Sequence, residues 1–223
     1  MHLEILVEDQ SGKAFLQMAL QRIVTGDHTF RVHAYKGIGH IPKNLNKSTD
    51  LSKRILLDQL PRLLRGYGVA FAKHMPYYKA GVVVVCDLDD KSREEFLHEL
   101  TGVLDSCSPK PDAIFCLAIE EGEAWLLGDI TSIKRAYPNA KQAVLASYVN
   151  DPICGTWEKL ADAVYPGGAQ ALSTRGWQAV GTEKSRWANR ITPHMDFAAN
   201  RSPSFCHFRD SVHDLLVLPK PAA

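Results

Sequence analysis

Apolar positions along this chain follow two rhythms. Short unbroken runs alternate with stretches in which apolar residues recur every three or four positions. Leu3 to Val7 is the first run, and the turn Glu8-Asp9-Gln10-Ser11-Gly12 leads into Phe15, Met18, Ala19 and Ile23 at helical spacing, with Gln10 or Ser11 near the helix start. Thr29 to Ala34 is a weaker second run. Leu51, Ile55, Leu56, Leu60, Leu63 and Leu64 predict a helix that Pro61 kinks or splits and Gly66 stops. Val82-Val83-Val84-Val85 is wholly β-branched and suits a strand buried on both faces of a parallel sheet. Ser92 and Glu95 then form a capping box ahead of Phe96, Leu97, Leu100 and Leu104. Ala113 to Ile119 is the last run, and Ala124 to Leu127 continues as a helical turn.

From about Ala136 the texture changes. Pro152, Pro166, Gly167 and Gly168 interrupt short helical pieces such as Trp157 to Val164. One closing helix is predicted from about Glu183, with Trp187, Ile191 and Met195 on one face. The other has Ser202 as N-cap and Pro203 at its first position, then Phe205, Phe208, Val212, Leu215 and Leu216. The tail from Pro219 to Ala223 is expected to fray. The predicted fold is α/β: a Rossmann-like, mainly parallel sheet flanked by helices over residues 1–135, with a C-terminal helical extension over 136–223 packed on it.

Three apolar runs end directly in acids: Glu8, then Asp87, Asp89 and Asp90, then Glu120, Glu121 and Glu123. A parallel sheet brings such ends to one edge, where open α/β sheets place their ligands. In an extended chain Asp87 and Asp89 point to the same side. Two carboxylates side by side repel, and hard oxygen ligands favour Mg²⁺ or Mn²⁺. The plainer alternative is that these acids cap the next helix and face water, which suits Asp90, just before Lys91-Ser92, better than Asp87.

A chain with 45% hydrophobic and 23% charged residues has the make-up of an ordinary globular protein. It has no apolar run near the ~20 residues a membrane span needs and no signal-peptide pattern, so no membrane partner and a cytoplasmic location are expected. Five widely spaced cysteines without a Cys-x-x-Cys read as reduced, mostly buried thiols. A net charge of +1 rules out a simple basic nucleic-acid binder, but the charge is uneven. Lys36, Lys43, Lys47, Lys53, Arg54, Arg62, Arg65, Lys73 and Lys79 crowd residues 35–80 against only Asp50 and Asp58. A basic surface beside an acidic site suits a polyanion whose phosphates meet a metal, with Lys36, Lys43, Arg62 and Arg65 as candidate phosphate contacts. The bland reading is a solvated helix face. His74, Tyr77 and Tyr78 among lysines are compatible with a nucleic-acid groove or with a plain loop. No Gly-x-Gly-x-x-Gly or Gly-x-x-x-x-Gly-Lys-Ser/Thr phosphate loop occurs. The histidines are scattered, Trp125 reads as core, and no tyrosine stands in a nucleophile's context.

Glu8 in Leu-Val-Glu-Asp and Asp87/Asp89 in Val-Val-Cys-Asp-Leu-Asp resemble the Toprim domain of topoisomerases, primases and overcoming-lysogenization-defect nucleases. Ile119 to Asp129 and Arg201-Ser202-Pro203-Ser204-Phe205 look similar to stretches of uncharacterised bacterial Toprim-like proteins described beside defence-type ATPases. The resemblance implies about four parallel strands with Mg²⁺ at the carboxyl edge. Asp87 and Asp89 would hold the metal, and Glu8 would serve as general acid/base or further ligand. Glu121 or Glu123 would complete a second metal position, although an acid at the start of a helix is favourable on its own. Two departures stand out. Asp9 replaces the usual glycine after the glutamate, and residues 35–80 lengthen the gap between Glu8 and Asp87.

The resemblance implies a metal-dependent nuclease, acting on nucleic acid in phage or plasmid defence. Two other classes stay open: a non-catalytic subunit that binds an ATPase partner, and a metal-dependent nucleotide-sugar transferase. Lys91, four residues after Asp87, stands where a haloacid-dehalogenase phosphatase needs a small hydroxyl residue, which demotes that reading. A homodimer is compatible with the sequence.

Overall fold

The structure is a computed structural model that describes residues 1–46, 50–73, 79–151 and 155–217. Lys47, His74, Tyr77, Tyr78, Pro152, Cys154 and the tail from Pro219 lie outside the described residues. Four strands, β1 (His2–Val7), β2 (Thr29–Ala34), β3 (Ala80–Asp87) and β4 (Ala113–Ala118), form one parallel sheet in the order β2-β1-β3-β4. Register pairs Ile5 with Val83 and Val7 with Val85, and β3 continues opposite β4 with Asp87 beside Ala118.

The valine run is buried on both faces, for the reason its composition predicts. Val83 and Val85 join Leu3, Ile5, Val7, Cys116 and Ala118 under one helical layer, while Val82, Val84 and Cys86 join Leu6 and Leu117 under the other. The first layer holds α1 (Gln10–Ile23) and the second holds α2 (Leu56–Ala72) and α3 (Arg93–Asp105). Connections from β1 and β3 therefore leave in opposite directions, which makes the gap between their carboxyl ends the sheet's switch point.

The remaining helices are α4 (Glu123–Leu127), α5 (Ile130–Ala136), α6 (Gln142–Ala146), α7 (Thr156–Val164), α8 (Gly168–Ser173), α9 (Trp177–Ile191) and α10 (Pro203–Val217). They cover the α1 face. Trp125, Trp187, Phe205 and Phe208 are fully buried there in the same apolar cluster as Leu3 and Phe15. Phe205 N–H donates to Ser202 Oγ at 3.2 Å, so Ser202 caps α10 and Pro203 opens it. Ser92 Oγ likewise accepts from Glu95 N–H at 3.4 Å at the start of α3.

Three helix expectations need correction. The segment from Leu51 is a separate 3₁₀ turn, Leu51–Lys53, closed by Arg54 in a left-handed conformation. α2 begins at Leu56, holds Pro61 in its second turn and runs through Gly66 to Ala72. Its apolar face continues past Gly66, and Gly68 backs so closely onto Pro109 that a Cβ there would meet the Pro109 carbonyl oxygen at 2.0 Å. Tertiary contact outweighs the local stop signal. α9 begins at Trp177, six positions before the predicted start, and Met195 lies beyond its end, after the 3₁₀ turn Thr192–His194. Cys86, Cys107 and Cys116 are buried free thiols. No described helix is long and apolar enough to cross a membrane.

Candidate functional site at the carboxyl edge

Glu8 follows the last residue of β1, and Asp87 is the last residue of β3. Because these strands are neighbours, the two carboxyl groups meet at the switch point, and Asp87 N–H donates to Glu8 Oε2 at 3.4 Å. Asp9 lines the same edge but is engaged locally: its Oδ1 accepts from Gly12 N–H at 2.7 Å, capping α1, and Ser11 donates to its Oδ2. This first turn of α1 lies hard against β1, since a Cβ on Gly12 would meet Val7 Cγ2 at 2.6 Å.

Burial dominates the electrostatics. It pushes the Glu8 carboxyl up to about 7, helped by the charge of Asp9 and opposed by the Asp87 N–H. It pushes Asp87 well above the carboxylate range, helped by Glu8. A cavity of about 40 Å³ opens between Glu8, Asp87, Glu123 and Lys184, walled by Phe15 and Trp125. That is room for an ion and a water or two.

Asp89 departs from the expected alternation. β3 ends at Asp87, and Asp89 adopts a left-handed conformation with φ 51°, its N–H donating to the Glu120 carbonyl at 3.0 Å. Its carboxylate, 48% exposed, pairs with Lys91 Nζ at 3.3 Å. Asp89 does not line the cavity; its charge still raises the Glu8 pKa.

The acids after β4 divide. Glu120 bonds the start of α7, accepting from Gly155 N–H at 2.5 Å and Thr156 N–H at 2.8 Å. Glu121 and Glu123 both pair with Lys184 of α9, at 3.0 Å and 3.2 Å. The Lys184 side chain is only 14% exposed. Burial opposes its charge, yet Glu123, Glu121 and Asp87 outweigh burial and hold the ammonium above its ordinary pKa. Burial pushes the Glu121 carboxyl up to about 7 against the pull of Lys184. Lys184 was not legible as a site residue, although a lysine within an apolar stripe signals a paired partner.

The basic candidates are dispersed. Lys36 is exposed and stands nearest the site, since the next residue, Gly37, donates its N–H to the Glu8 carbonyl at 2.8 Å. Lys43 and Arg62 are exposed, and Arg65 donates to Asn46 Oδ1 at 3.1 Å. Among the described residues no three His, Cys, Asp or Glu side chains form a ready-made metal cage. The donor chemistry nonetheless fits a hard divalent ion, because Mg²⁺ commonly binds through one or two carboxylates and keeps its waters.

Fold and site together define an open parallel α/β protein with a half-buried carboxylate pair at its switch point. The chain belongs to the family of the domain of unknown function DUF4276, whose pattern matches residues 7–213. No curated protein and no solved structure matches it significantly.

Proposed function

We propose that this protein is a Mg²⁺- or Mn²⁺-dependent phosphodiester hydrolase of Toprim-like type that acts on nucleic acid. The observation that carries the reading is the meeting of Glu8 and Asp87 at the switch point, part-buried and with no cation at ion-pair distance among the described residues, Lys184 reaching them only across the cavity. The carboxylates of Glu8, Asp9, Asp87 and Glu123 line the cavity, with Glu121 beside them, and among the described residues they meet one lining ammonium, Lys184. Such an excess of partly buried negative charge is costly unless a cation joins it. When bound there, a divalent ion makes a coordinated water more acidic and offsets charge on a phosphoryl group.

In this reading Glu8 and Asp87 hold the ion. In the metal-free chain burial pushes the Glu8 carboxyl up to about 7, and a bound ion would favour its carboxylate form as a ligand. Asp89 joins them only by releasing Lys91. In this reading Lys36, whose neighbour Gly37 donates to the Glu8 carbonyl, would hold a substrate phosphate, and Lys43, Arg62 and Arg65 would be further phosphate contacts.

The test is calorimetric titration of Mg²⁺ and Mn²⁺ into wild type and Asp87→Asn/Asp89→Asn, then incubation with labelled single- and double-stranded DNA and RNA. Metal binding lost in the variant, with cutting by wild type alone, is the expected result. Metal binding without cutting of any substrate directs attention to an ATPase partner or a nucleotide sugar. A wild type that binds neither metal overturns the proposal.

A further inference from the structure

The acids at the carboxyl edge fall into two pairs with different partners, and the difference has a chemical meaning. Glu121 and Glu123 are joined by Lys184 Nζ at 3.0 Å and 3.2 Å, and Thr156 Oγ1 lies 3.5 Å from Glu121 Oε2. Glu8 and Asp87 have no Lys, Arg or His nitrogen at ion-pair distance among the described residues. We infer that Lys184 takes the place of a second cation, so that the site accepts a single divalent ion, at Glu8 and Asp87, and Glu121 and Glu123 are not metal ligands. The inference rests on the metal-dependent reading above and specifies its stoichiometry.

The ammonium is not free to leave. Lys184 lies one turn from Val180 and one from Trp187 on the buried stripe of α9, and those residues are 3% and 0% exposed. α9 packs along α1, the helix that starts beside Glu8. An ion entering between Glu121 and Glu123 must displace a tethered charge that has little water to retreat to. An ion entering between Glu8 and Asp87 has no side-chain cation at ion-pair distance to displace among the described residues. The oxygens of Glu121 and Glu123 that bond Nζ are then withheld from a metal, and Lys184 acts as a positioning residue that directs the ion to the β1–β3 side.

The stoichiometry of Mn²⁺ binding, read by calorimetry and by electron paramagnetic resonance on the full chain, decides the matter. Wild type is expected to bind one ion, with the spectrum of an isolated centre. Glu121→Gln/Glu123→Gln should bind one ion with affinity within about tenfold of wild type, whereas Glu8→Gln or Asp87→Asn should lose it. Lys184→Met should admit a second ion and broaden the spectrum by coupling between the two, while Lys184→Arg should keep the count at one. Two ions in wild type overturn the inference and leave the metal-dependent reading standing. One ion lost in Glu121→Gln/Glu123→Gln and kept in Glu8→Gln also overturns it. No bound ion in wild type overturns both. The wild-type count decides even if Lys184→Met fails to fold.

Discussion

Replacing Glu8 by glutamine should stabilise the metal-free protein at pH 8. Burial and the neighbouring Asp9 charge raise the Glu8 carboxyl from 4.5 to about 7 in the folded chain. An unfolded chain ionises this group near its ordinary value, while the folded chain keeps the proton to higher pH. Between the two values the unfolded state binds fewer protons, so stability falls as pH rises through that window and stays lowered above it. A raise of this size corresponds to a loss on the order of 3 kcal/mol at pH 8. Glutamine has the same shape, accepts the Asp87 N–H as the carboxylate does, and does not ionise. For a chain of this length the gain amounts to roughly 6–12 °C in Tm. The assay is thermal unfolding of wild type and Glu8→Gln in EDTA at pH 4 and pH 8. The two should melt together at pH 4 and separate at pH 8, with the variant higher. Mg²⁺ should then raise wild type and leave the variant unmoved, because only an ion bound to the folded chain stabilises it. A variant that is equal or less stable than wild type at pH 8 without metal would falsify the picture of a carboxylate pair only partly offset by Lys184.

Three further outcomes follow from the same structure. Glu120→Ala removes the acceptor of the Gly155 and Thr156 amides and should cost about 1–2 kcal/mol by urea unfolding, with Mn²⁺ affinity unchanged; a loss of affinity would place Glu120 in the metal site. Gly128→Ala sets a Cβ 2.1 Å from Asn200 Oδ1 and 2.8 Å from Ser202 N, and this overpacking between α4 and the loop before α10 should cost about 1–3 kcal/mol. An unchanged urea midpoint would refute that contact. Trp177 is 82% exposed while Trp125, Trp157 and Trp187 are buried, so iodide should quench one component of the fluorescence, and Trp177→Phe should remove it. Persistent quenching in the variant would mean that the aromatic core is open.

The sheet was legible because its signal is local and redundant. Leu3 to Val7, Thr29 to Ala34, the valine run and Ala113 to Ile119 all lie in the observed strands or within a residue of their ends. The order of the runs, with a helical stretch after each, is what a parallel sheet requires. The helices were less legible where packing decides their ends. Gly66 reads as a stop, yet Leu64, Tyr67 and Phe71 continue the apolar face of α2 and carry the helix to Ala72. Gly176, with φ 83°, starts α9 at Trp177, far ahead of the first charged residue that resembles an N-terminal signal.

The same misplaced boundary explains why half of the site stayed hidden. A helix taken to begin near Glu183 puts Lys184 in its first turn, where a lysine has no assigned face. With α9 starting at Trp177, Val180, Lys184, Trp187 and Ile191 form one stripe, and all but Lys184 are buried hydrophobics. A charge on such a stripe has to meet an opposite charge. The acids at the ends of β1, β3 and β4 supply it, and these were visible from sequence because each interrupts an apolar run. Glu8 and Asp87 come together through strand pairing, which the valine run itself specifies. Asp89 does not follow, because two-residue alternation holds only while the chain is extended, and an aspartate readily takes the left-handed turn that ends it. Sequence thus gave the negative half of the site through strand pattern. The positive half depends on the helical layer that packs against α1, and that layer completes the edge rather than merely covering the sheet.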